Sequence, residues 1–195
     1  MTRWAPDARG RLQRAAVELF AEQSFAATTV PQIAERAGLT TRTFFRHFAD
    51  KREVLFAGDE IPEYGAELMR SAPAELDPMS LIAQQLRIVA ETTFEGSRAD
   101  VRRVRAIIES DEALRERDLK KRGALAAAVR AGFLARGEDP VTAAVAADLT
   151  VSVLHVALER WLDDPADDAT ARPLGDVVDD VLAASAALLG SHARP

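Results

Sequence analysis

A chain of 195 residues, 48% hydrophobic and 29% charged, has the size and balance of one or two small globular domains with a sizeable core. It has no cysteine, which excludes disulfides and thiolate metal sites and suits a reducing cytosol. The formal net charge of −6 by itself argues against nucleic acid. No apolar run reads as long enough to cross a bilayer, and MTRWAPDARGRL lacks the apolar core of a secretory signal, so a cytoplasmic protein with no membrane partner is expected.

Residues 1–8 read as an arm, with Arg3, Arg9 and Arg11 as cations that could reach a phosphate or groove, Arg3 more simply a solvated tail. The first helix is expected from Asp7 to Gln23, on the stripe Leu12, Ala16, Leu19 and Phe20, with Gly10 weakening its first turn. Phe25 in the next loop should plug a three-helix core. Thr29 and Gln32 form a capping box for a second helix with Val30, Ile33, Ala34 and Ala37 on its apolar face. Gly38 supplies the left-handed residue that ends it. Thr40 caps a third helix, in which Phe44 and Phe48 pack inward one turn apart.

The other face of that third helix carries Thr41, Arg42 and Phe45, with Arg46 and His47 alongside, and no acid lies between Gly38 and Ala49. A short helix with a cationic outer face after a tight turn is the pattern of a recognition helix in the DNA major groove. Charge supports it. Residues 1–56 hold nine basic and six acidic residues, a balance of +3, while the remainder holds 16 basic and 25 acidic, a balance of −9.

Asp50 and Glu53 form a further capping box, placing a helix start at Lys51, with Val54, Leu55 and Phe56 apolar and a break expected near Gly58–Pro62. Ser71–Ser80 reads as a Pro-containing loop, followed by an amphipathic helix from Leu81 to Phe94 that Gly96–Ser97 ends. Asp100 is expected to cap a short helix with Val101, Val104, Ile107 and Ile108. Ser110 or Asp111 caps the next, from about Glu112 to Arg136, which Gly137 ends. Pro140 opens the most apolar helix, Val141–Leu162, and Leu174–Leu189 forms the last. No strand pattern or internal repeat appears. The fold class is therefore all-α, about nine helices, with an N-terminal three-helix helix-turn-helix domain at 1–52 and a helical dimerisation domain at 53–195, to which the resemblance given below adds effector binding. The last two helices carry more apolar surface than one protomer's core needs, so a homodimer through a four-helix interface is expected. Its expected residues are Val151, His155, Leu158, Val178, Val181, Leu182 and Ser185.

The stretch TTVPQIAERAGLTTRTFFRHFADKREVL resembles the DNA-binding segment of TetR-type bacterial transcriptional regulators. The resemblance runs from about Arg11 to Leu55; beyond it the chain agrees only in length and helical character. It implies a repressor on double-stranded, palindromic operator DNA. Arg42 and Thr41 would read base edges, Phe45 would touch bases or sugar, and Thr29, Thr43, His47 and Lys51 would hold phosphates. The family usually has Tyr where this chain has Phe45, so a backbone hydrogen bond is replaced by apolar contact. The resemblance also implies a small-molecule effector in a pocket of the body, with Arg87, Glu91, Phe94, Arg105, His155 and Glu159 as candidate lining.

Two other readings stand beside this one. Asp163, Asp164 and Asp167 spell an acidic string that binds magnesium in some all-helical enzymes, but Pro165 interrupts it and no second acidic motif exists, so a solvated loop is expected. His155 and Glu159 are spaced to hold a metal, but no third ligand is placed, so no metal site is expected. No nucleophile or phosphate-loop pattern appears, and no cofactor and no enzyme activity are expected. The third reading is a helix-turn-helix adaptor that binds DNA without any effector.

Overall fold

The computed structural model describes residues 7–56, 65, 67, 69–94, 98–167 and 170–190, and they form helices, turns and loops without a strand. The expected break near Gly58–Pro62 lies outside these residues, as do Gly96 and Ser97. The chain divides into two compact units. The first takes residues 1–59 with 102–120, and the second takes 60–101 with 121–195.

In the first unit, α1 (Ala8–Gln23) starts at Asp7, which sits in the left-handed region (φ 72°) and accepts from Gly10 N at 2.9 Å. A Cβ on Gly10 would collide with that carboxylate, so this glycine makes room for the cap rather than merely weakening the turn. α2 (Val30–Arg36) opens with the expected capping box: Gln32 Oε1 accepts from Thr29 N at 2.8 Å. It closes with Leu39 N donating to Ala34 O (2.8 Å) and Gly38 N to Glu35 O (2.9 Å), around Gly38 at φ 64°. That is the double bond pattern of a Schellman cap. α3 (Thr41–His47) follows at once, capped by Thr40.

The core of this unit joins Leu12, Ala16, Phe20, Ile33, Phe44 and Phe48 to Val54, Leu55 and Phe56. The latter three are buried with α1–α3, so the first unit extends past the expected cut between 52 and 53. Nor does a regular helix start at Lys51. Asp50 Oδ1 caps Arg52 N (2.7 Å) and Glu53 N (3.2 Å), but only a 3-10 turn, Arg52–Val54, follows. The reciprocal half of the box is missing because Glu53 is taken by Arg117, in paired bonds of 2.5 and 2.8 Å.

In the second unit, α4 (Pro78–Val89) begins three residues before Leu81, because Asp77 accepts from Met79 N (3.0 Å) and Ser80 N (3.1 Å) and Pro78 fills the first helical position. It runs into a π turn, Ala90–Phe94. α5 (Arg98–Glu109) already contains Asp100 in its first turn, so Asp100 is not its cap. From Arg102 to Lys120 the chain belongs to the first unit, and there α6 (Glu112–Ala135), which continues into the second, is capped by Asp111, which accepts from Ala113 N (3.0 Å) and Leu114 N (3.2 Å). Asp139 caps α7 (Pro140–Asp163), and α8 (Leu174–Gly190) ends the described chain.

α7 has the length and apolar composition of a membrane-crossing helix, contrary to the expectation that no such run exists. Its Ala143, Ala147, Val153, Ala157 and Trp161 are buried in the core of this unit, against Leu81, Phe133, Val178 and Leu182. A core helix buried along one side passes the same compositional test. The C-terminus of α7 is closed by Arg98, itself 5% exposed. Its guanidinium donates to Trp161 O (2.8 Å), Ala166 O (2.7 Å) and Asp164 O, satisfying carbonyls that a helix end leaves orphaned.

Candidate nucleic-acid interface

The three-helix head presents α3 because its two inward aromatics are fixed from behind. Phe44 is fully buried and Phe48 is 4% exposed, with ring centroids 5.3 Å apart. Those positions roll the opposite face outward. Arg42 and Arg46 are exposed, and Phe45 is 55% exposed. Thr41 and Thr43 are half-buried at the start of the helix, where Thr43 N donates to Thr40 Oγ1 at 3.2 Å. Arg36 braces α2 on α1 through Glu22 (2.8 and 3.0 Å), and this ion pair holds the Glu22 carboxyl below its usual range. Arg11, expected as a possible phosphate ligand, instead donates to Ala37 O at the end of α2.

Of the expected DNA-binding residues, Arg42, Thr43 and Phe45 line one surface groove together with Arg46, whereas Lys51 and His47 are placed differently. Lys51 Nζ donates to Phe25 O (2.7 Å) and Thr28 O (2.8 Å) and lies 4.1 Å from the centre of the Phe25 ring. Burial pushes its pKa below the usual lysine value, opposed by the Asp111 carboxylate. Two of its three N–H bonds are therefore engaged inside the protein, and its main work is to tie the α1–α2 loop to the turn after α3. That revises the expected phosphate contact. His47 has its Nε2 buried and without a hydrogen-bond partner. Thr29 is exposed and already engaged in its capping box.

The body holds a second candidate site, and here the sequence-level list fares differently. Arg105 belongs to the first unit, where it pairs with Glu109 (2.6 Å) and Asp118 (3.6 Å). Arg87 pairs with Asp179, and His155 pairs with Glu159 at 3.1 Å on the surface of α7. Glu91 lines an open cleft with Arg98 and Arg172. Among the six, Phe94 borders the apolar cavity of the second unit, whose other described walls include Leu81, Ile82, Gln85, Leu86, Phe133 and Leu154. Gln85 is the residue that sequence reasoning missed. Its signal was there: an amide on the apolar stripe of α4, in the place of another aliphatic.

The expected interface residues also separate. Val178, Val181 and Leu182 are buried in the chain's own core, so they cannot form a seam with a partner. Val151, His155, Leu158 and Ser185 are half-buried. The exposed large hydrophobic residues of α7 and α8 are Val141 (72%), Val145 (59%), Val156 (41%) and Leu188 (73%). In the acidic loop, Asp164 accepts from Ala166 N (2.9 Å) and Asp167 from Thr170 N (2.9 Å), so these carboxylates shape a turn.

Comparison with known proteins agrees with this geometry. Residues 12–57 match the family model "Bacterial regulatory proteins, tetR family". The HTH-type transcriptional regulator TcmR of Streptomyces glaucescens is 38% identical over 89 residues, 45% of this chain and 39% of that protein. The HTH-type transcriptional activator FasR of Mycolicibacterium smegmatis is 29% identical over 103 residues, 53% of this chain and 46% of that one. The chain therefore spans less than half the length of the curated relatives it matches. The crystal structure of NalD, the secondary repressor of the MexAB-OprM multidrug efflux pump in Pseudomonas aeruginosa, superimposes with a TM-score of 0.60 over 91% of this chain and 96% of NalD, at 22% identity. At that identity the likeness establishes the fold. The capped helix pair and the outward cationic face thus lie within the segment, residues 12–57, that matches the tetR family model, and the chain shares its fold with NalD.

Proposed function

We propose that the protein is a dimeric transcriptional repressor, acting on palindromic double-stranded operator DNA in the cytoplasm and released by a small molecule bound in the apolar cavity of the second unit. The observation that carries this reading is the outer face of α3, where exposed Arg42, Phe45 and Arg46 stand on a helix locked from behind by Phe44 and Phe48. A guanidinium fork at Arg42 suits guanine O6 and N7, and Thr41 sits beside it. Phe45 offers its ring to a thymine methyl or a sugar. Thr29 and Thr43 serve the phosphates, together with helix N-termini.

The dimer seam in this reading runs along Val141, Val145 and Val156 on α7 and Leu188 on α8. Their exposure supports it, since an apolar face left in water by one protomer is covered by the same face of another in an isologous pair. Repression asks least of the chain, because occupancy of a promoter by the dimer suffices. Release requires the effector to bind the free form better than the DNA-bound form, with a reciprocal coupling of about 1–3 kcal/mol.

The test is a gel-shift against DNA flanking the protein's own gene, followed by affinity for single-base operator variants at two salt concentrations. Arg42→Ala should cost roughly 1–3 kcal/mol and flatten preference at one position in each half-site. An unchanged preference profile would show that another face does the reading.

A further inference from the structure

The cavity of the second unit restricts what can enter it. It is a partly open hollow lined by residues of α4, the π turn after it, α6 and α7 together with Gly65 and Met69, has a volume of about 150 Å³, and has no charged side chain among its described lining residues. An ion placed there would lose its hydration without a countercharge. The volume matches one monocyclic ring: a dry apolar cavity of about 150 Å³ binds benzene.

Three wall residues are polar, and of these Gln85 is buried with an unpaired atom, while Thr93 is exposed. Gln85 is only 7% exposed, and its Oε1 is buried and accepts a hydrogen bond from no group among the described residues. The neighbouring Thr150 does not supply the missing donor, because its hydroxyl donates to Ala146 O at 2.7 Å within its own helix. A buried acceptor left unpaired carries its full desolvation penalty, and buried amides in folded proteins are normally partnered. Leu81, Ile82 and Leu86 surround it on the same stripe of α4, where a leucine at 85 would complete the core. The amide is therefore a cost to the empty protein that a guest can remove.

We propose that the cavity binds a small, uncharged, mainly apolar molecule with one hydroxyl on a single ring, the phenol class, and that Gln85 determines this specificity. A hydroxyl is the group that suits an amide at both ends, donating to Oε1 and accepting from Nε2. The inference rests on the effector-cavity reading above and sharpens it by naming the chemistry of the ligand.

The experiment uses the full-length protein with phenol, benzene and benzoate as probes, followed by calorimetry and thermal shift. Phenol should bind roughly tenfold more tightly than benzene, the contribution of one buried hydrogen bond, and benzoate should not bind. In Gln85→Leu that preference should vanish while benzene still binds, which also shows that the variant is folded with its cavity intact. Equal binding of phenol and benzene by the wild type, a phenol preference that survives in Gln85→Leu, or binding of none of the three probes would overturn the proposal. Operator affinity is measured in parallel. Gln85-dependent phenol binding with unchanged operator affinity upholds the ligand class and removes operator release. A compound that releases the operator without displacing phenol does the reverse, leaving release in place and overturning phenol as the effector class.

Discussion

The first and second units are built from the same element and differ in what fixes it. In the first, short helices of 7 residues are held by local devices: the Thr29–Gln32 box, the Schellman cap at Gly38, the Thr40 cap, and aromatics that leave one face outward. In the second, α7 has 24 residues and apolar groups on several sides. Nothing within α7 says which side meets the core and which meets water. Local capping therefore specifies a face in the head, whereas in the body only the neighbouring helices do.

The sharpest way to break that contrast is a pair of aspartates in the body. Val181→Asp buries an unpaired charge in the core and should destabilise the second unit by about 3–5 kcal/mol. Val145→Asp lies at an exposed position and should leave thermal stability nearly unchanged while giving monomers in sedimentation. If Val181→Asp instead folds normally as a monomer, the assignment of that residue to the chain's own core is wrong.

A pair in the head comes next. Phe44→Ala should cost about 3–5 kcal/mol of stability in urea, as a fully buried ring lost from a tight core. Phe45→Ala should stay within about 0.5 kcal/mol in the same assay and still weaken DNA binding. Adjacent residues with opposite readouts would establish that burial, and not hydrophobicity, sorts them.

The Glu53–Arg117 pair tests a link that no local rule supplies. Arg117→Ala should destabilise the first unit by about 1.5–3 kcal/mol, since it removes a two-bond, charge-assisted contact from a carboxylate with only 17% side-chain exposure. A loss below about 0.5 kcal/mol would class it with ordinary surface pairs.

The smallest expected effect concerns acid. Asp50, held by the Arg52 side chain, Asp77, held by the Ser80 hydroxyl, and Asp139, held by the Thr142 side chain, all have carboxyl pKa values lowered in the folded state, and backbone N–H bonds at their caps add to this. The unfolded chain then binds more protons between the folded and unfolded values. Their stabilisation is fully present above the unfolded value, about 4, and is lost as pH falls through the lower folded values. Asp139→Asn keeps a capping oxygen without a titrating group, so it should flatten the acid slope of stability slightly. An unaltered slope would mean that the Asp139 cap contributes nothing to it.

Much of the fold was legible because caps and periodicity are short-range. Thr29, Gly38, Thr40 and Asp111 mark helix ends within a residue or two, and Phe44 with Phe48 fixes the inner face of α3. Three of the misreadings share one cause, which is a partner distant in sequence. Glu53 fails to close its box because Arg117 takes its carboxylate. Lys51 turns inward because Phe25 O and Thr28 O lie within reach of its ammonium. Arg105 falls outside the body because the end of α5 belongs to the first unit.

By itself, then, the sequence determined most of the helices, their order and the outward cationic face of α3, since each of these follows from contacts three or four residues apart. The tertiary structure alone decided that Val181 and Leu182 are core while Val141 and Val145 are surface, and that Gln85 lies at a cavity wall with an unpartnered oxygen. Those are properties of packing. An apolar stripe states that a face must be covered, and only the arrangement of the other helices determines what covers it and where a gap remains.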